Sequence, residues 1–471
     1  MNLITNLKYS SISQLVKIST QILGLLFFAK YLTPNDFGLV AISTVIINFV
    51  NIIREIGTSA AIIHKEKLNE SLKNTLFWTN LVIGLLLFIL VWLLSPFFAL
   101  FFNNDNLKLL IPIIAISLPI SNLSSVSQAL LERECQFKNV AKIEVFSSII
   151  SLILSVIAAI NNFGPYSIAI QILVYSSLSS IGFIAKSQFK PTLKFEMNDL
   201  KSIFNFSANI IGFNFVNYFS RNLDQIMIGK FYSVNVLGNY SLAYRIMLFP
   251  LQSITSVLSR SLFPILSRIR NNKEESSYQY LRVLYIIVII VPPTMMIISY
   301  LSSDILSVFF NDKWELVPII LLWLTPTAIL QSIVSTTGTV FISYGRPSVL
   351  FKISIFNCLI QSSSFVIGIH YDIITLVQLY LCANIIMFIP NMYIAFKLAS
   401  VTFINFINTI RWPVFSSMIM IISMLLLSNL ENYLNINKFI VILLKLSIPL
   451  LVYIFSILIL DSKKIKSAFS L

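Results

Sequence analysis

Apolar residues in this chain come in blocks of about twenty, separated by short polar stretches, and no block shows the strict alternation of a half-buried strand. Blocks of that length cross a hydrocarbon core of about 30 Å as helices. A closed transmembrane barrel would instead show alternating segments of about ten residues. The pattern predicts an all-α integral membrane protein with about 14 transmembrane helices. They are expected near 10–31, 38–61, 75–101, 109–131, 143–160, 165–185, 204–229, 237–266, 279–301, 316–343, 348–369, 374–396, 412–430 and 439–460. The connections between them are short, which leaves no room for a soluble catalytic domain on either face.

Inside several blocks, polar residues recur three and four apart and so share one helix face. The first span carries Ser10, Ser13, Lys17, Thr20 and Gly24, and the second Asn48, Asn51, Glu55 and Thr58 with Arg54 adjacent. The fourth shows Ser117, Ser121, Ser124 and Gln128; the seventh Asn214, Asn217, Arg221 and Asp224; the tenth Thr327, Gln331 and Ser335. On the eighth, Ser241, Arg245, Gln252, Ser256 and Ser259 surround an expected kink at Pro250. Lipid cannot solvate such groups, so they are expected to face the bundle interior or a wet cavity. Ser, Thr and Asn on membrane helices also hold neighbouring helices together, and that reading stays open for each of them. Spans three, nine, twelve, thirteen and fourteen are mostly apolar and are expected to face lipid.

The chain also repeats itself. Lys30-Tyr31-Leu32-Thr33-Pro34-Asn35-Asp36-Phe37-Gly38 aligns with Lys230-Phe231-Tyr232-Ser233-Val234-Asn235-Val236-Leu237-Gly238 at a shift of 200 residues. The two segments join the first span to the second and the seventh to the eighth. The polar stripes pair at the same six-span offset: first with seventh, second with eighth, fourth with tenth. The expectation is therefore two six-helix lobes, residues 1–198 and 199–400, related by a pseudo-two-fold axis along the membrane normal. Residues 401–471 add two helices and a basic tail.

Composition and charge sharpen this picture. Of 471 residues, 57% are hydrophobic and only 11% charged, against about 25% in soluble domains. Lys and Arg total 33 against 19 Asp and Glu, a balance that in a soluble chain would raise nucleic acid as a partner. Here it has a topological cause, because cytoplasmic loops of membrane proteins collect Lys and Arg. With the N-terminus inside, 25 basic residues fall on the inner face, and only Lys30, Lys108, Lys230, Lys313 and Lys438 on the outer. That bias fits fourteen spans with both termini cytoplasmic. No nucleic-acid partner and no cofactor are expected. Cys135, Cys358 and Cys382 lie far apart, and His64 and His370 sit in separate loops, so no metal site is expected either. Polar residues interrupt the first block, which reads as a retained span and not a cleaved signal.

The stripes leave four basic residues, Lys17, Arg54, Arg221 and Arg245, against two acidic ones, Glu55 and Asp224. That balance favours an anionic cargo. Arg245 has no acidic neighbour at helical spacing, and its planar fork suits phosphate. Arg221 and Asp224, three apart, also have the option of neutralising each other. Lys17, Arg54 and Lys445 have the option of snorkelling to an interface. Asn214, Asn217, Gln252 and Gln128 complete the candidate substrate-binding set. Asp224 and Glu55 are the candidates for coupling to Na+ or H+. A polysaccharide polymerase would need a sizeable outer loop, and the outer loops here are short.

Several segments carry a resemblance. They are Tyr31-Leu32-Thr33-Pro34-Asn35-Asp36-Phe37-Gly38-Leu39-Val40-Ala41; Glu132-Arg133 with Phe137-Lys138, Ala141 and Glu144; Asn222-Leu223-Asp224-Gln225-Ile226-Met227-Ile228-Gly229; Leu237-Gly238-Asn239-Tyr240-Ser241-Leu242-Ala243; and Phe263-Pro264-Ile265-Leu266-Ser267-Arg268. In order and spacing, over roughly residues 5–400, the chain resembles the polysaccharide flippases of the multidrug/oligosaccharidyl-lipid/polysaccharide exporter superfamily. The likeness is to the branch exporting colanic-acid, teichuronic-acid and related repeat units. The resemblance implies two lobes in a V, exchanging inward-open and outward-open states. The cargo it implies is an undecaprenyl-pyrophosphate-linked oligosaccharide, handled among membrane lipids and alongside polysaccharide polymerase machinery. The related lipid II flippases are similar in using basic residues on the first, second and eighth helices, where Lys17, Arg54 and Arg245 stand here. A lipid II flippase and a drug/cation antiporter are the alternatives within the superfamily.

Overall fold

The computed structural model describes residues 3–54, 62, 69–193, 195–197, 218–219, 221–310, 313–431 and 438–469, all helical or in short connections, with no strand among them. Twelve of the described helical segments are long and apolar enough to cross a membrane. Two further expected spans remain. One is α1 (Leu3–Tyr31), a 29-residue helix. The other is the block 204–229, of which 218–219 and 221–229 are described. The chain divides into two compact units, Met1–Gly238 and Asn239–Leu471.

In the first unit α1 is followed by α2 (Pro34–Arg54), α3 (Glu70–Phe101), α4 (Leu107–Ala115), α5 (Ser117–Arg133), α6 (Phe137–Ile160) and α7 (Tyr166–Ser187). The fourth expected span is thus two helices. Pro119 has no N–H to offer the Ala115 carbonyl, and the helix breaks at Ile116. Helix α7 packs against α5 and α6, α1 against α6, and α3 against α5. Much of this packing is polar: Ser124 and Ser180 hydroxyls meet at 2.9 Å, and Asn80 and Asn122 bridge α3 and α5. Here the helix-binding role of small polar residues is realised. Beyond α7 the chain returns over the start of α3. There Trp78 donates to the Thr192 carbonyl at 2.9 Å, and the Asn74 side chain accepts from the Thr192 amide at 2.7 Å.

The repeat of the sequence is a contact in space. Residues 218 and 219 lie on α2: the Tyr218 hydroxyl donates to the Val45 carbonyl at 2.5 Å, and Phe49 meets Phe219 edge-on at 5.3 Å. The two repeated motifs touch reciprocally. A Cβ on Gly38 would stand 2.0 Å from the Val234 carbonyl oxygen, and one on Gly238 would stand 1.7 Å from that of Pro34. Pro34 and Val234, like Gly38 and Gly238, are equivalent positions of the repeat. This exchange, i to j and j to i, is the signature of a local two-fold relation between the motifs. Only glycine allows backbones this close. Each motif also caps its own helix with a hydroxyl. Thr33 and Asp36 exchange bonds at the start of α2, and Ser233 accepts from the Val236 amide at 3.2 Å.

The second unit contains most of α8 (Val234–Pro250), a π-helical turn (Leu251–Thr255) and α9 (Ser256–Ile269). There follow α10 (Lys273–Phe310), α11 (Val317–Val334), α12 (Thr337–Ser343), α13 (Pro347–Gly368), α14 (Ile373–Ala399), α15 (Phe403–Glu431) and α16 (Lys438–Phe469). At the position of the kink expected at Pro250, a wide π turn follows the proline, an accommodation of a break in the α ladder.

Helix α10, the ninth span, differs from the expectation of a lipid-facing helix. It is buried over 61% of its most apolar stretch, against 22% for α3. A helix apolar all round reads the same whether lipid or protein surrounds it. The added pair α15 and α16 supplies the protein. Tyr285, Ile289 and Leu301 of α10 form a core with Met420 and Met424 of α15 and Tyr453 and Ile457 of α16. Polar ties fix the register: Tyr300 donates to the Met424 carbonyl at 2.8 Å, Tyr453 to that of Ile289 at 2.7 Å, and Tyr285 to the Asp461 carboxylate at 3.0 Å. Lys445 does not reach outward. It is buried and pairs with Asp304 at 2.8 Å.

Candidate functional site

A concavity lies within the first unit. It is a cavity of about 260 Å³, walled by Thr44, Asn48 and Asn51 of α2, Ser117 and Ser121 of α5, and Ser176 of α7. Ile47, Ile114 and Ile172 complete it. The α2 residues stand one helical turn apart on one face. The α4–α5 break sets Ser117 at the mouth of a new helix, its hydroxyl donating to the Ile114 carbonyl at 2.7 Å. Thr44 donates to the Val40 carbonyl at 2.8 Å. The Asn51 Oδ1 is buried and accepts no hydrogen bond among the described residues. Among the described residues, none that lines the cavity is charged.

The predicted residues distribute unevenly around this site. Asn48, Asn51, Ser117 and Ser121 line it. Ser124, further along the same stripe, is turned to Ser180. Gln128 lies beyond, donating to Glu132 at 2.9 Å. Ser176 belongs to none of the predicted stripes. A small serine among the many of the sixth span (Ser176, Ser177, Ser179, Ser180) carries no distinguishing signal.

Lys17 faces α6, where its ammonium pairs with Glu144 at 2.7 Å. Thr20, on the same stripe, is buried and donates to the Lys17 carbonyl, while Gly24 abuts Leu152 of α6. Of the first-span stripe, Lys17 and Gly24 serve the α1–α6 contact. Glu144 is legible as part of a motif, but it stands on the fifth span, outside the spans whose charges enter the balance. It lowers the cationic excess by one. A charge-reversed double variant, Lys17→Glu with Glu144→Lys, is expected to regain the thermal stability that either single reversal loses. Melting of purified protein in detergent checks this.

Arg245 is part-buried about three turns into α8, and Arg221 is exposed at the start of the helical stretch 221–231. Asp224 is fully buried, and its Oδ1 accepts from the Gln225 amide at 2.8 Å. Arg54 ends α2, and Gln252 sits in the π turn. That turn holds one residue more than an α turn. Residues after it are rotated by about 100° relative to a straight helix, so the eighth-span stripe does not continue as one line across it. Asn214, Asn217 and Glu55 lie outside the described residues. On the tenth span, Gln331 donates to the Tyr380 hydroxyl at 2.7 Å and to Asn384 at 3.0 Å, joining α11 to α14.

Residues 27–318 match the sequence profile of a family described as polysaccharide biosynthesis protein. The chain belongs to that family. This polysaccharide biosynthesis protein is 23% identical over 369 residues to the lipopolysaccharide biosynthesis protein WzxC of Escherichia coli K12, covering 78% of this chain and 75% of the relative. It is 27% identical over 350 residues to the teichuronic acid biosynthesis protein TuaB of Bacillus subtilis 168, covering 73% and 72%. Among solved structures, the fold is similar to the lipid II flippase MurJ in an inward closed conformation. The TM-score is 0.77 at 19% identity, over 98% of this chain and all of that one. The likeness shows the fold, that of a multi-pass helical membrane protein.

Proposed function

We propose that the protein is a flippase that carries an undecaprenyl-pyrophosphate-linked oligosaccharide repeat unit across the cytoplasmic membrane for surface polysaccharide synthesis. The observation that carries this reading is a polar, concave site formed by membrane-spanning helices in a polysaccharide biosynthesis family member. The names of its relatives fit: biosynthesis proteins for lipopolysaccharide and teichuronic acid, and a succinoglycan biosynthesis transport protein from Rhizobium meliloti at 21% identity over 421 residues. The headgroup crosses inside the protein while the prenyl tail stays in lipid, and the two lobes rock to expose it to each side in turn. What is avoided is large: one charge at the bilayer centre costs several kcal/mol, and a pyrophosphate carries more than one.

Arg245 is the candidate ligand for the pyrophosphate, with Arg221 and Arg54 in support. Asp224, fully buried, is the candidate for coupling to Na+ or H+. The loop charges favour a cytoplasmic location for both termini. The test is surface polysaccharide in a strain deleted for the gene and complemented with wild type or Arg245→Ala. Deletion is expected to abolish surface polymer, and Arg245→Ala to lower it at least tenfold at normal protein level. Normal polymer in the deletion strain rejects the function. Normal polymer with Arg245→Ala removes that residue from the site. The fold likeness to a lipid II flippase favours that activity as the second reading, and rescue of a strain lacking its own lipid II flippase distinguishes it.

A further inference from the structure

Among the described residues the cavity between α2, α5 and α7 has no charged lining; it presents acceptors on Thr44, Ser117 and Asn51 beside donors on the Asn48 and Asn51 amides and the Ser121 and Ser176 hydroxyls, the mixture that a sugar's hydroxyl groups match. Thr44 and Ser117 spend their hydroxyl protons on the backbone carbonyls of Val40 and Ile114, at 2.8 and 2.7 Å, so toward the cavity they offer lone pairs. Asn51 adds a buried amide oxygen with no donor among the described residues. A buried acceptor left unmet costs about 1–3 kcal/mol, so this wall favours a group that brings hydrogens to it. A phosphate oxygen brings none at neutral pH, and a carboxylate brings none either. Neither finds a cation among the lining residues. At about 260 Å³ the space lies just below the range of about 300–1,000 Å³ usual for drug-sized ligands, a size that suits one ring. Ile47, Ile114 and Ile172 supply apolar patches between the polar groups, which suits the C–H face of a pyranose.

We propose that this cavity is a subsite for a single neutral sugar ring, read through its hydroxyl groups by Asn51, Thr44 and Ser117. The pyrophosphate is excluded from it and held elsewhere. The inference rests on the cargo proposed above and divides it: one uncharged glycosyl unit is recognised within the first unit of the chain, separately from the anionic linkage. Neutral rings are thereby favoured over uronic acids at that position of the repeat unit.

The test uses the full-length protein in detergent, with methyl glycosides of neutral hexoses, methyl glucuronide and inorganic pyrophosphate as separate probes of thermal protection. The expected result is protection by at least one neutral glycoside and at least about tenfold weaker protection by the glucuronide. Asn51→Leu and Thr44→Val should each weaken glycoside binding about tenfold and leave the response to pyrophosphate unchanged. Equal protection by glucuronide, or glycoside binding untouched by both substitutions, overturns the subsite. Protection by no glycoside, as for a cavity that holds water alone, overturns it as well. Where Asn51→Leu fails to fold, Ser121→Cys serves. Its alkylation by a neutral thiol reagent, measured above the wild-type background, should slow at least threefold with glycoside present, and an unchanged rate overturns the proposal. The deletion strain keeps the two readings apart. Normal surface polymer there rejects the flippase, whereas lost polymer with glycoside-insensitive protein rejects only the subsite.

Discussion

Gly238→Val is expected to lower the melting temperature of the purified protein severely, or to prevent its accumulation in the membrane altogether. The added Cβ would stand 1.7 Å from the Pro34 carbonyl oxygen, with the Pro34 carbonyl carbon at 2.5 Å and its Cα at 3.0 Å. These are backbone atoms, so no rotamer relieves the clash, and the two repeated motifs must move apart. Overpacking a tight contact costs about 1–3 kcal/mol when side chains yield, and a backbone obstacle places this case at the top of that range or above it. Gly38→Val meets the mirror-image obstacle, the Val234 carbonyl at 2.0 Å, and is expected to behave alike. Because either change separates the same pair of segments, the double variant should cost much less than the sum of the two. Gly338→Ala is the control: only Leu350 Cδ1 comes within reach, at 3.8 Å, and little change is expected. Thermal unfolding in detergent and fluorescence of a fused reporter measure all four.

Asp304→Ala comes next. Lys445 is 7% exposed, its ammonium 2.8 Å from the Asp304 carboxylate and 5.4 Å from the ring of Tyr300. Removing the carboxylate takes away the buried cation's counter-charge, a change that costs about 3–5 kcal/mol where both groups are enclosed. Asp304 retains some exposure, so the lower part of that range is expected. Replacing both residues, Asp304→Asn with Lys445→Met, removes both charges and should recover most of the loss. A double variant no more stable than Asp304→Ala would show that the pair does not set the docking of α16 on α10.

Much of this fold is legible in the chain because lipid imposes one rule. Every backbone polar group must be satisfied internally, and twenty-residue apolar blocks have only the helix to satisfy it. The break after Pro250 and the hydroxyl-capped starts of α2 and α8 follow from local chemistry in the same way. The repeat motif is legible as a sequence match, yet that its two copies press their glycines on each other is a tertiary fact that alignment cannot state. The site is half legible. Helical spacing places Asn48 with Asn51 and Ser117 with Ser121, but it does not say which neighbour each face meets. Lys17 and Glu144 illustrate the limit: 127 positions separate them, and only the packing of α1 on α6 makes them a pair. The burial of α10 shows the other limit, since apolarity alone does not distinguish a lipid neighbour from a methionine-rich helix.

Length within the eighth span is not freely exchangeable. The five residues Leu251–Thr255 form a wide turn, and loss of any one of them would return the chain after Pro250 to α-helical pitch. Every residue from Ser256 to Ile269 would then swing by about a third of a revolution, and the exposed Val257 and the buried Leu262 and Leu266 would leave their present sides. A relative one residue shorter at this point is therefore comparable to this chain on either side of the turn but not across it. Insertions and deletions there act as changes of facing, not of reach.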